Sequence, residues 1–195
     1  VIHTTYHSGM EGMLYPWCHR PDLSPDNETQ NFMAGLYSST SGYSNLQFLQ
    51  SYHDYPTNGE VIDFTYGLNG SIGLTMEISN NKQPPQSQIL HYFDINVPSM
   101  LAMIEVSGYG LEGIITDAVS GEPVVAAIFV DEYLPNYSDP EVGDYHKFIM
   151  PGTYSITVVA NGYETQTIDN VVVEANSSTT VDFQLQEVES HYAYR

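Results

Sequence analysis

Three residues able to do hydrolytic chemistry stand at spaced positions in the N-terminal part of the chain. They are His7 in His7-Ser8-Gly9, Tyr55 in Tyr55-Pro56-Thr57-Asn58-Gly59, and Glu77 in Leu74-Thr75-Met76-Glu77. An imidazole can ligate a metal, a phenol can donate a hydrogen bond to a substrate, and a carboxylate can take and return a proton. Each is read at the end of an apolar, strand-like run, where α/β enzymes collect their chemistry. One candidate histidine cannot hold a catalytic zinc by itself, because that metal takes three protein ligands and keeps an open position for water.

Ordinary structural roles compete with each assignment. A lone histidine at a strand end is usually a hydrogen-bonded structural residue, and His3 stands four positions before His7 as a rival. Tyr55 is one of 16 tyrosines, and a loop tyrosine is ordinarily packing. Glu77 could be an internal ion-pair partner, but the chain offers only 4 Lys plus Arg against 24 Asp plus Glu. A carboxylate amid Leu74, Met76 and Ile78 is therefore short of partners and expensive to bury. Asp63 reads as structural, orienting the neighbouring loop.

The elements that must position these residues are legible in the periodicity. Val1 to Tyr6 has the β-branched and aromatic pattern of a strand. Arg20 to Pro25 is a loop, and Asp26 can cap a helix whose apolar face is Phe32, Met33, Leu36 and Tyr37. Leu46 to Leu49 is a short apolar run, Asn58-Gly59 signals a turn, and Ile72 to Ile78 reads as a buried strand. Pro84-Pro85 breaks the pattern. Ser87 can open a helix through Ile89, Leu90 and Phe93, and Asn96-Val97-Pro98 restarts one that faces Met100, Leu101 and Ile104 to the core until Gly108.

After Gly110 short β-rich runs alternate with Gly, Pro, Asn and Asp turns, without helices between them, which indicates a small β-sandwich. The expected division is 1–108 for the first domain, 109–186 for the second and 187–195 as a tail.

A formal charge of -20 repels phosphate backbones and anionic lipid, so nucleic acid is excluded as a partner. No run approaches the ~18 apolar residues of a membrane span. The single Cys18 rules out an internal disulfide framework. The chain starts mid-strand without Met, which suggests a piece of a longer protein. Four Asn-x-Ser/Thr sequons, at Asn27, Asn69, Asn136 and Asn176, fit an exported, extracellular protein.

The order His7-Ser8-Gly9, Tyr15-Pro16-Trp17, Tyr55 to Gly59, Ile62-Asp63 and Glu77 resembles the C-terminal half of a zinc carboxypeptidase catalytic domain. Asn80 to Pro85 resembles the junction segment of the branch typified by carboxypeptidases N, E and D. Gly113 to Asp117, Gly121 to Pro123, Gly143 to Tyr145, Pro151 to Tyr154 and Asn161 to Tyr163 resemble that branch's transthyretin-like sandwich. The resemblance implies a mixed α/β fold, the C-terminal part of the catalytic domain, followed by an all-β transthyretin-like sandwich.

It also implies one Zn2+ per intact domain, with His7 as the third ligand and the remaining ligands upstream of Val1 in a His-x-x-Glu. Glu77 matches the catalytic glutamate and Tyr55 the mobile tyrosine that closes over a peptide's C-terminus. Ser8, Cys18, Ile62 and Thr75 match positions around the substrate. The substrates implied are peptide or protein C-termini, and the isolated chain is expected to be inactive.

Cys18 stands where the branch's aspartate selects C-terminal Lys or Arg, and Ile62 lies where the pancreatic-type enzymes have the base of the pocket. Two neutral residues there predict a preference for apolar or aromatic C-terminal residues. The alternatives are a non-catalytic peptide-binding relative, or a β-sandwich interaction module in which the second domain is the functional unit.

Overall fold

A strand paired on both sides, with one face against a core, must be apolar at alternate positions, and Ile72-Gly73-Leu74-Thr75-Met76-Glu77-Ile78 meets that demand inside the first sheet. The computed structural model describes residues 1–188, so of the expected tail 187–195 the part from 189 lies outside the described residues. Contacts divide the chain into one unit of Val1–Tyr109 and a second that begins at Gly110.

In the first unit, β1 (Ile2–His7), β2 (Glu11–Tyr15), β3 (Gln47–Gln50) and β4 (Ile72–Ile78) form a mixed sheet in the order β1-β4-β2-β3. β1 runs parallel to β4, β4 antiparallel to β2, and β2 parallel to β3. Three helices complete the unit: α1 (Asn27–Thr40), α2 (Val61–Asn69) and α3 (Ile89–Val106). Along β4 the side chains of Ile72, Leu74 and Met76 are fully buried on one face, while Gly73, Thr75 and Glu77 alternate to the other. Gly73 lets α2 come close on that second face: a Cβ there would lie 2.9 Å from the Ile62 carbonyl oxygen.

Two helix readings are corrected. α1 buries Thr29, Gln30, Met33, Ala34 and Tyr37, whereas Phe32 is on the exposed side. Asp26 precedes α1 without a capping bond from its side chain, because the carboxylate instead accepts the Tyr66 hydroxyl proton at 2.8 Å.

α3 is one continuous helix with Pro98 inside it, not two. Its buried stripe is Asn96, Ser99, Met103 and Val106, and Leu101 and Ile104 are exposed. Hydrogen bonding explains the rotation. Asn96 Oδ1 accepts from Tyr37 OH at 2.7 Å and Ser99 Oγ donates to the Tyr37 carbonyl at 2.7 Å, which turns the polar stripe toward α1. Among the described residues no helix is long and apolar enough to cross a membrane.

The second unit is all β. β5 (Gly110–Asp117), β6 (Ala127–Val130), β7 (Asn136–Tyr137), β8 (Asp144–Lys147), β9 (Gly152–Val159), β10 (Gln166–Val173), β11 (Ser178–Thr180) and β12 (Phe183–Leu185) make two sheets. One has the order β10-β9-β6-β7; in the other β11 and β12 pair with β5, which also pairs with β8. Leu111, Ile115 and Phe183 from one sheet share a buried core with Ile128, Ile156 and Val158 from the other. The β-rich stretch from Thr179 to Leu185 is split between β11 and β12. At the break, the Val181 carbonyl accepts from Tyr145 OH and Asp182 Oδ1 accepts from the Ile114 amide. Asn136, one of the four sequons, is buried, with Lys147 Nζ donating to its Oδ1 at 3.1 Å, so it cannot be an exposed acceptor.

Candidate active site

Sheet register brings the two principal candidates together. In the parallel β1–β4 pair, Thr5 stands opposite Thr75 and His7 opposite Glu77, all on the face that α2 approaches. A period of two along each strand keeps the pairs side by side. The Thr5 and Thr75 hydroxyls lie 2.8 Å apart, and His7 Nδ1 lies 2.9 Å from Glu77 Oε1. The imidazole is 69% exposed and the glutamate side chain 12%, so the ring faces solvent while the carboxylate is set back into the fold.

A cavity of about 270 Å³ opens beside this pair. His7, Thr75 and Glu77 contribute one wall, Ile62 from the first turn of α2 another, and Tyr55 from the preceding loop a third. Tyr55 is 63% exposed on the loop that precedes α2. Two polar atoms of residues in the cavity wall, Glu77 Oε2 and Thr57 Oγ1, are buried without a hydrogen-bond partner. Leaving such atoms unpaired costs free energy, the kind of cost that accumulates where a site is arranged for a ligand.

The remaining two expected residues are not brought to the cavity. Cys18 is fully buried and does not line it. Its amide donates to Asp63 Oδ1 at 2.9 Å. Burial, opposed by a hydrogen bond with Ser51 and reinforced by the charges of Asp63 and Glu60, pushes its thiol up to about 12. Ser8 also lies outside the lining, its hydroxyl donating to the Lys82 carbonyl at 2.8 Å. Asp63 ties the exit of β2 to α2, since its second oxygen holds His19 Nδ1 at 2.6 Å.

The cavity contains residues that sequence reasoning passed over: Asp54, Thr57 and Glu60. A signal for Glu60 existed in its place between Tyr55 and Ile62, in a chain with too few bases to neutralise its acids.

Zinc fits one corner of this site and not the whole of it. His7 offers an accessible imidazole whose orientation is fixed by a carboxylate, an arrangement that suits a metal ligand. Yet among the described residues no three His, Cys, Asp or Glu side chains come together to hold a metal ion.

The chain that builds this mixed sheet and cavity has relatives among known proteins. The family model described as zinc carboxypeptidase matches residues 1–99, and the chain belongs to that family. It is 34% identical to carboxypeptidase D of Rattus norvegicus over 163 residues, 83% of this chain and 11% of that protein. With carboxypeptidase D of Anas platyrhynchos it shares 31% identity over 92% of this chain and 15% of the relative. With the carboxypeptidase N catalytic chain of Rattus norvegicus it shares 30% over 95% of this chain and 45% of the relative. The chain thus spans less than half the length of each of these relatives.

Proposed function

We propose that this chain is the C-terminal part of a zinc metallocarboxypeptidase that releases C-terminal amino acids from peptides. The observation that carries the reading is the His7–Glu77 pair, set by strand register at the mouth of a cavity with Tyr55 on its rim. His7 would hold zinc together with ligands from outside this chain, and the bound metal would supply an acidified water and a polarised carbonyl. Glu77 contributes a carboxylate at 2.9 Å from the imidazole, with a second oxygen that is buried and unpaired and can accept a proton. Tyr55 can donate its phenolic proton to the bound peptide as the loop moves. Thr75 lines the wall beside Glu77. Ile62 gives an apolar wall, against which either an aromatic ring or the methylene stem of a basic side chain can pack.

The chain by itself is read as inactive, because it supplies one imidazole to a metal that needs three ligands. The unit from Gly110 onward is read as a transthyretin-like sandwich, supported by its two sheets around one core and by relatives that match most of the chain. Export to an extracellular setting is read from the acidic surface and from sequons at exposed Asn69 and Asn176.

Hydrolysis by the intact, zinc-loaded protein tests the reading. Glu77→Gln should lower kcat about 10²- to 10⁴-fold, the usual worth of a general base, and His7→Ala should lower zinc content in the purified protein. Release of C-terminal residues within tenfold of the parent by the Glu77→Gln protein would refute the role. Peptide binding with no hydrolysis by the parent would instead favour the non-catalytic relative.

A further inference from the structure

The loop that brings Tyr55, Thr57 and Glu60 to the cavity wall is anchored at two points and open between them. The Thr57 amide donates to the Cys18 carbonyl at 3.1 Å, and the Glu60 carbonyl accepts from the Phe64 amide at 3.1 Å as α2 begins. Asn58 and Gly59 stand between these anchors. Both are exposed, and among the described residues neither makes a hydrogen bond. Gly59 has φ +81°, and a Cβ built there would meet nothing within 4 Å, so the space beside it is open. The chain has two other Asn-Gly pairs, and both are tied down. Asn69 ends α2, where the Gly70 amide donates to the Tyr66 carbonyl at 2.9 Å. Asn161 and Gly162 occupy the middle of a turn closed by the Tyr163 amide on the Ala160 carbonyl at 3.3 Å, and the Gly162 carbonyl also accepts from the Val188 amide at 2.9 Å.

We propose that Asn58 is a site of spontaneous deamidation, with water as the co-reactant, and that the reaction rebuilds the loop between Tyr55 and α2. The Gly59 amide nitrogen gives its proton to solvent base and attacks Asn58 Cγ. A C–N bond forms, the side-chain nitrogen leaves as ammonia, and a cyclic succinimide results. Water then breaks one of the two bonds between the ring nitrogen and a carbonyl carbon. Opening at Cγ leaves an aspartate at this position. Opening at the backbone carbonyl carbon leaves an isoaspartate, in which the main chain runs through the former side chain. By either route water replaces ammonia and the loop gains one carboxylate. Glycine as the following residue permits the attack, because a Cβ would crowd the approach of the two backbone groups. The new charge enters the segment that already carries Asp54 and Glu60, in a chain of formal charge -20, and among the described residues no lysine or arginine lines the cavity to offset it. The isoaspartate form also lengthens the main chain between the Thr57 anchor and α2, which strains the Thr57 bond to Cys18 and so displaces the cavity wall. The reaction needs neither zinc nor peptide, so it stands apart from the carboxypeptidase reading.

The test ages the full chain in mildly alkaline buffer, folded and, separately, unfolded in urea. Peptide mass spectrometry with isoaspartate methyltransferase labelling follows the three Asn-Gly pairs. In the folded chain Asn58 should convert ahead of Asn69 and Asn161 by about two- to tenfold, the cost in rate of releasing one neutral hydrogen bond. In urea the three rates should converge. Hydrogen exchange at the Thr57 amide should speed up in the aged chain and keep its starting rate in an aged Asn58→Gln variant, whose longer side chain closes the ring poorly. Asn58 converting no faster than the other two when folded, or the same order persisting in urea, overturns the site. Conversion that leaves Thr57 exchange unchanged overturns the rebuilding of the loop.

Discussion

Changing Tyr66 to Phe removes one oxygen from the tie between α2 and the start of α1. That oxygen donates to Asp26 Oδ2 at 2.8 Å and accepts from the Asp26 amide at 3.1 Å. Both residues are fully buried. A hydrogen bond to a charged acceptor is worth about 1.5–3 kcal/mol and a neutral one about 0.5–1.5 kcal/mol, so Tyr66→Phe should cost the first unit about 2–4 kcal/mol. The ring itself stays, with its centroid 4.9 Å from that of Trp17, so little packing is lost.

Trp17 is the one tryptophan of the chain and belongs to the Val1–Tyr109 unit, so its fluorescence during a urea titration reports that unit. In an Asp26→Asn background the charged component is gone, and the same substitution should cost only about 1–2 kcal/mol. A loss below about 0.5 kcal/mol in the parent, or strict additivity in the double-mutant cycle, would refute the assignment of a charge-assisted bond. The consequence for function is positional: α2 carries Ile62 to the cavity wall, and Tyr66 is one turn further along the same helix.

The buried phenols of the same unit predict an alkaline limit to its stability. Burial pushes Tyr43 up to about 12 and raises Tyr37 and Tyr66 further, the last also through the charge of Asp26. The unfolded chain releases these protons near pH 10 while the folded one keeps them, so stability is level below pH 10 and falls above it. Each phenol contributes a slope of up to about 1.4 kcal/mol per pH unit; urea midpoints that stay constant from pH 9 to 11 would contradict this. In the second unit two glycines share the same left-handed backbone but not the same space. Gly143→Ala, at φ +76°, places a Cβ 2.5 Å from the Ile115 carbonyl oxygen, whereas at Gly121, at φ +75°, nothing lies within 4 Å. Both lose the left-handed allowance of about 1–2 kcal/mol, and Gly143→Ala should lose about 1–3 kcal/mol more from crowding; equal thermal midpoints for the two variants would show the contact to be relieved at no cost.

The sequence by itself determined where the two strands that carry the principal candidates fall. Ile72 to Ile78 is apolar at alternate positions because a central strand must be, and Val1 to Tyr6 is β-branched because it pairs with it. That periodicity, with the turn chemistry of Asn58-Gly59, was enough to set His7, Tyr55 and Glu77 in a series, and the resemblance to a known family supplied their roles. Tertiary structure alone decided which residues line the cavity. Cys18 lies four residues beyond Leu14 of the cavity wall, yet its amide is bound by Asp63 and its thiol turned into the core, a pairing across 45 residues that no local pattern encodes. Glu60 enters the wall for a similar reason: Gly73 of β4 leaves room for the first turn of α2 to settle against that strand. α3 shows the same limit from the other side. Its apolar residues promised the core, but the bond from the Tyr37 hydroxyl of α1 to Asn96 Oδ1 and that from Ser99 Oγ to the Tyr37 carbonyl fix the helix by its polar stripe, and a directional bond between two elements is invisible in the periodicity of either.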